Sequence, residues 1–110
     1  MTYVNTLRFA FLACCLVGAE ALAECTQPQA PTKVPDGSSA AEAEMVAAMQ
    51  TLKRYDSDVT TYLKCLEFEA KQNRITKDEQ SRKHNSAVDQ LQSVAAKFNE
   101  QVRVFKAKSG

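Results

Sequence analysis

The chain has 110 residues, with 14 Lys+Arg against 13 Asp+Glu and a formal charge of +1. Such balance lacks the clustered cationic face that displaces counterions from nucleic acid, and 45% hydrophobic residues argue against wholesale disorder. With three Gly, no Trp and a single His there is little material for a phosphate loop or a catalytic pocket, and the length supports one small domain.

Residues 1–23, MTYVNTLRFAFLACCLVGAEALA, read as a cleaved secretory signal. Arg8 supplies the positive start, Phe9 to Ala19 the apolar stretch, and Ala21-Leu22-Ala23 the small-x-small pattern that signal peptidase accepts. The stretch is far short of the ~20 apolar residues a membrane span requires, because Glu20 ends it. Lipid attachment needs a small residue before the acceptor cysteine, and Glu24 precedes Cys25. Cleavage after Ala23 removes Cys14 and Cys15 and leaves Cys25 and Cys65. An even pair of cysteines in an oxidising compartment reads first as a disulfide.

Residues 24–38 form the next segment. Pro28, Pro31, Pro35 and Gly37 punctuate it without apolar periodicity, which predicts an extended, polyproline-like arm. At Ser39 the pattern changes. Ser39 with Glu42 has the spacing of a capping box, in which each side chain satisfies a free backbone N–H at a helix start. Met45, Leu52, Val59 and Leu66 fall seven apart, with Ala48, Tyr55 and Tyr62 at the intermediate positions. That spacing predicts one apolar seam along a helix over about 39–72, widened by Met49, Leu63 and Ala70. Asn73 suits the left-handed conformation of a helix stop.

Thr76 and Glu79 repeat the capping spacing and open a second helix over about 76–107. Ala87, Val88, Leu91, Val94, Ala95, Phe98, Val102 and Phe105 give it one apolar face, while its polar start, KDEQSRK, is expected to project beyond the seam. Two long helices joined by a few residues run antiparallel. The expected fold is therefore all-α: a coiled-coil-like hairpin over 39–110 with an extended Pro-rich arm. A turn centred near residue 75 sets Leu66 against His84, Val59 against Leu91, Leu52 against Phe98 and Met45 against Phe105. Charge agrees: residues 39–70 carry three basic and six acidic groups, whereas 71–110 carry nine and four.

Cys25 and Cys65 are the most informative pair. The helix from Ser39 to Cys65 spans ~39 Å at 1.5 Å per residue, and an arm from Cys25 to Ser39 spans ~43 Å if polyproline-like. The arm can thus fold back along the first helix and be pinned by an internal disulfide. The same length also permits a bridge to a second chain. A weaker alternative makes Cys25, Cys65 and His84 a metal or redox cluster, with Glu69 as a fourth ligand. No CxxC or HExxH spacing supports it. Tyr55 and Tyr62 are read as seam residues that keep their hydroxyls wet. Lys71, Arg74, Lys77, Arg82 and Lys83 gather at the turn, as a solvated helix tip or as a surface for an anionic partner.

Three stretches carry a resemblance: CTQPQAPTKVPDGSSAAEAEM, then Tyr62 with Cys65-Leu66-Glu67, then FNEQVRVFK. In their layout of a Cys-Pro-Pro-Pro-Asp-Gly arm followed by paired helices, the chain resembles an uncharacterised family of small exported proteobacterial proteins. The resemblance covers most of the chain after the signal. It implies a Gram-negative periplasm and brings no activity or site residues with it.

The expected function is a periplasmic, non-enzymatic α-hairpin without a cofactor. It acts on an unidentified periplasmic protein or by self-association, with no nucleic acid and no membrane span after signal removal. Val46, Met49, Leu63, Phe68 and Val104 lie off the strict seam, so a second copy making a four-helix bundle is the favoured occupant.

Overall fold

The computed structural model describes residues 24–109, so the signal segment 1–23 lies outside the described residues. Two helices, α1 (Glu42–Lys71) and α2 (Lys77–Ser109), pack against each other as an antiparallel hairpin, and the described residues contain no strand. The fold is an all-α helical hairpin.

The reversal between the helices is built by main-chain bonds. Asn73 takes a φ of 57°, which lets its own N–H donate to the Ala70 carbonyl at 3.0 Å and the Arg74 N–H to the Glu69 carbonyl at 2.9 Å. This is the paired closure of a Schellman stop, with asparagine at the position usually given to glycine. The Arg74 guanidinium reinforces it by pairing with the Glu69 carboxylate at 3.0 Å and lying 5.8 Å from the Phe68 ring centre. On the far side of the turn the Thr76 hydroxyl accepts the Glu79 N–H at 3.0 Å and opens α2. Thr76→Ala should therefore cost about 1 kcal/mol, read as a lower denaturant midpoint at unchanged slope.

The start of α1 differs from the sequence expectation. Its N-cap is Ala41, in extended backbone, and the Glu44 carboxylate accepts the Ala41 N–H at 3.2 Å. Ser39 does not cap it. The Ser39 and Ala40 N–H groups donate instead to the Asp36 carbonyl at 3.1 and 2.8 Å. That turn carries the arm away from the α1 axis, so a tertiary demand overrides the local capping preference. The Asp36 carboxylate also accepts the Ser38 hydroxyl at 2.6 Å and the Ser38 N–H at 2.9 Å. These two bonds hold its carboxyl below the ordinary aspartate value. A carboxyl with a lowered folded-state pKa contributes stability above its unfolded value, and that contribution fades as pH falls through the folded value. The turn should therefore loosen only in acid.

Two apolar clusters fill the seam. Tyr55, Val59, Tyr62, Leu66 and Ala87 form the cluster toward the turn, flanked by Leu52, Leu63, Ile75, Leu91 and Val94. Ala40, Met45 and Phe98 form the other, flanked by Val34, Ala48, Leu52, Val102 and Phe105. Val59 and Leu91 share the first cluster, whereas Met45, Leu52, Phe98 and Phe105 share the second, in keeping with the antiparallel register. The exception is His84. It is exposed, and Ala87, with no remaining exposure, packs in the cluster around Leu66. In the first turns of α2 the half-buried positions are Glu79, Gln80 and Lys83, so the inward face passes through 83 rather than 84. For the same reason the polar start of α2 does not project free of the packing.

Tyr55 keeps only 4% of its surface, and its hydroxyl is buried without a hydrogen-bond partner among the described residues. This reverses the expectation of a wet phenol. Burial pushes the Tyr55 pKa upward. Removing an unsatisfied buried hydroxyl while keeping the ring should stabilise, so Tyr55→Phe is expected to raise the unfolding free energy by about 1 kcal/mol. Chemical denaturation of the two proteins side by side checks this.

Candidate functional site

The arm, residues 24–41, is not confined to the flank of α1. It lies in the groove between the helices and touches both. At its start Cys25 is joined to Cys65 of α1, with 5.8 Å between their Cα atoms and 40 residues of sequence enclosed. Next, the Gln27 side-chain amide donates to the Gln90 side-chain oxygen of α2 at 3.0 Å. Pro31, Lys33 and Val34 border a small cleft whose other walls are Ala48, Thr51 and Leu52 of α1 and Val94 and Phe98 of α2. The Gly37 N–H then donates to the Gln101 side-chain oxygen at 2.8 Å, and Lys108 reaches the Ala40 carbonyl at 3.0 Å. Lys108 also lies 4.9 Å from the Phe105 ring centre.

Gly37 shows why this end of the arm needs its Pro-Asp-Gly sequence. A Cβ built there would lie 2.8 Å from the Phe105 nitrogen and closer still to the Gln101 carbonyl oxygen. Its φ is not positive, so the requirement is close approach to the α2 backbone rather than an unusual dihedral. The arm is thus held covalently at Cys25 and by a polar latch at Gly37 to Ala40. Between those points its apolar contribution comes from half-buried side chains, Pro28, Ala30, Pro31, Val34 and Pro35.

The residues named for metal or redox chemistry do not gather into a ligand cluster among the described residues. Cys25 and Cys65 are bonded to each other, and His84 is exposed on α2. Among the described residues no group of three or more His, Cys, Asp or Glu side chains is arranged to hold a metal ion. Glu69, the suggested fourth ligand, pairs with Arg74. Beside the disulfide is an open depression of about 340 Å³ bordered by Glu24, Cys25, Leu66, Glu69, Ile75 and Lys83, among others. Most of its charges are engaged, since Glu69 pairs with Arg74 and Lys83 with Glu79 at 2.9 Å. The basic turn is engaged in the same way, because Lys71 lies 3.0 Å from Glu67. Of the five cations gathered there, three have a carboxylate partner, which lowers the field available to an anionic surface.

The two sides of the seam are unequal. On α2 the arm meets Gln90 and Gln101, whereas Val88, Ala95 and Val102 recur every seven residues on the opposite flank. On α1 the matching stripe is Met49, Asp56, Leu63 and Ala70, turned away from Cys65 and Thr51. Met49 is 40% exposed, and Val88 and Ala95 are half-buried yet belong to neither cluster. Val46 at 42% and Phe68 at 53% point farther outward, while Val104 and Leu63 are half-buried. Spacing alone separates these stripes, but the asymmetry arises only when the arm covers one of them.

No helix among the described residues is long and apolar enough to cross a membrane. Comparison with known protein families, with curated proteins and with solved structures finds no match.

Proposed function

We propose that this chain is an exported, non-enzymatic helical hairpin that acts by protein–protein contact, through the seam flank that the arm leaves uncovered. The observation that carries the reading is the asymmetry of the seam. One flank is sealed by a disulfide-tied arm, whereas Met49, Leu63, Val88, Ala95 and Val102 line the other. Two helices alone bury only the face they share, and the apolar positions of this flank, interrupted on α1 by Asp56, gain by meeting another apolar surface. A second copy is the favoured occupant, because the stripes on α1 and α2 are both present on one face and a two-fold pairing makes a four-helix bundle. The disulfide and the sequence of residues 1–23 support export to an oxidising compartment. The family resemblance narrows that compartment to a Gram-negative periplasm.

Val88→Glu tests the contact without entering either apolar cluster. Sedimentation equilibrium of the purified protein should show mass rising with concentration toward a dimer, and Val88→Glu should hold the monomer mass. A native protein that remains monomeric through the high micromolar range, and that recovers no chain by Val88-dependent capture from periplasm, contradicts the reading.

A further inference from the structure

We propose that the arm is a reducible strap, and that its release lets α1 grow back to Ser39. The first observation is that two helix starts compete for the same residues. In the strapped protein Ser39 and Ala40 spend their N–H groups on the Asp36 carbonyl, and α1 begins after Ala41, which has no side-chain acceptor. Yet Ser39 and Glu42 have the spacing of a complete capping box, and both are exposed and unused for capping. Serine is a far better cap than alanine, so the weaker start persists because the arm demands it.

The two starts exclude each other. A helix begun at Ser39 directs its Ala43 N–H to the Ser39 carbonyl and its Glu44 N–H to the Ala40 carbonyl. At present the Glu44 N–H donates to the Ala41 carbonyl at 3.0 Å, and the Ala40 carbonyl accepts from Lys108. Extending α1 therefore turns the extended backbone of Ala41 helical, takes the Ala40 carbonyl from Lys108 and gives the Ser39 N–H the Glu42 carboxylate in place of the Asp36 carbonyl.

The second observation is that one of the strap's two anchors is reducible. Of the arm's apolar side chains only Ala40 is buried, so between its anchors the arm rests on half-buried contacts and the disulfide is its one covalent tie. Half-buried Cys25 borders the open depression beside Glu24 and Lys83, the side from which the proposed reductant approaches. The reductant is a dithiol, such as a thiol–disulfide oxidoreductase. Its thiolate attacks the Cys25 sulfur, forms a mixed disulfide and expels the Cys65 thiolate, which takes a proton from water. Its second thiolate then attacks its own sulfur in the mixed disulfide and releases Cys25 as a thiolate, which is protonated in turn. Two electrons pass from the dithiol to the cystine, and the reductant leaves as a disulfide.

The test follows backbone chemical shifts and amide exchange of Ser39 to Glu44 in three samples. These are the oxidised protein, the same protein in excess dithiothreitol, and Gly37→Ala with the disulfide intact. In the oxidised protein residues 39–41 should show non-helical shifts and a fast-exchanging Ala43 amide. Reduction should shift residues 39–41 to helical values and slow exchange at Ala43. Adding Ser39→Ala to the reduced sample should then cut the equilibrium constant for the extended helix about fivefold. Gly37→Ala, which breaks the latch without touching sulfur, should move the same signals in the same direction. Unchanged shifts at 39–41 in both the reduced protein and Gly37→Ala would overturn the proposal. So would loss of the whole hairpin on reduction, because a strap requires the helices to survive its release.

Discussion

Replacing Cys25 or Cys65 by serine is expected to lower the unfolding free energy by about 4 kcal/mol while leaving most helix signal in place. The size follows from the 40 residues of chain that the bridge encloses, because cross-linking removes conformational freedom from the unfolded state. The helices should persist at low temperature, since the two apolar clusters are built mainly from α1 and α2 and only Ala40 of the arm is a buried member. For a domain this small, such a loss corresponds to a fall in melting temperature on the order of 20 °C. Circular dichroism melts of both serine variants and of the dithiothreitol-treated protein should agree. A variant that melts with the native protein would mean that the bridge does not restrict the unfolded chain.

Gly37→Ala is the second large effect, and it separates the latch from the disulfide. Alanine ordinarily stabilises relative to glycine by ~0.4–1 kcal/mol wherever the backbone conformation allows it, and Gly37 has no positive φ to forbid it. The steric term has the opposite sign and is larger. The new methyl would sit 2.8 Å from the Phe105 nitrogen and nearer still to the Gln101 carbonyl oxygen. Both are backbone atoms of α2, which cannot swing aside as a side chain does. Overpacking of this kind costs about 1–3 kcal/mol, and contact with fixed backbone places Gly37→Ala at the upper end. Denaturant unfolding should show a lowered midpoint, and the Gly37–Gln101 hydrogen bond should disappear from the amide spectrum. Equal or greater stability of Gly37→Ala would mean that the arm does not approach α2 closely in solution.

Much of the hairpin is legible in the sequence because its determinants are local. The heptad spacing from Met45 to Leu66 marks the inward face of α1, Thr76 caps α2, and Asn73 tolerates the conformation that ends α1. What escapes is set by partners distant along the chain. Gln101 reads as an ordinary polar position on α2, and nothing near it signals that its side chain will receive a glycine N–H from 64 residues away. The start of α1 is misplaced for the same reason, since the Asp36 turn outweighs the local cap at Ser39. His84 illustrates a finer limit. Heptad counting assigns it to the seam, but the inward face at the start of α2 runs one position earlier, through half-buried Lys83 beside Cys25 and Ile75. The uncovered stripe has a comparable history. Val88, Ala95 and Val102 are visible as a seven-residue repeat, yet only the arm's position makes their flank the uncovered one.

The arm ties back to its own hairpin, and this is open to one direct measurement. Protein grown on ¹⁴N and protein grown on ¹⁵N are mixed, reduced, refolded together with oxidation and digested without reductant. Mass spectrometry of the fragment that joins Cys25 to Cys65 then reports whether the bridge lies within one chain. An internal staple predicts only all-light and all-heavy fragments, whereas mixed fragments at statistical abundance would place the bridge between chains and contradict it.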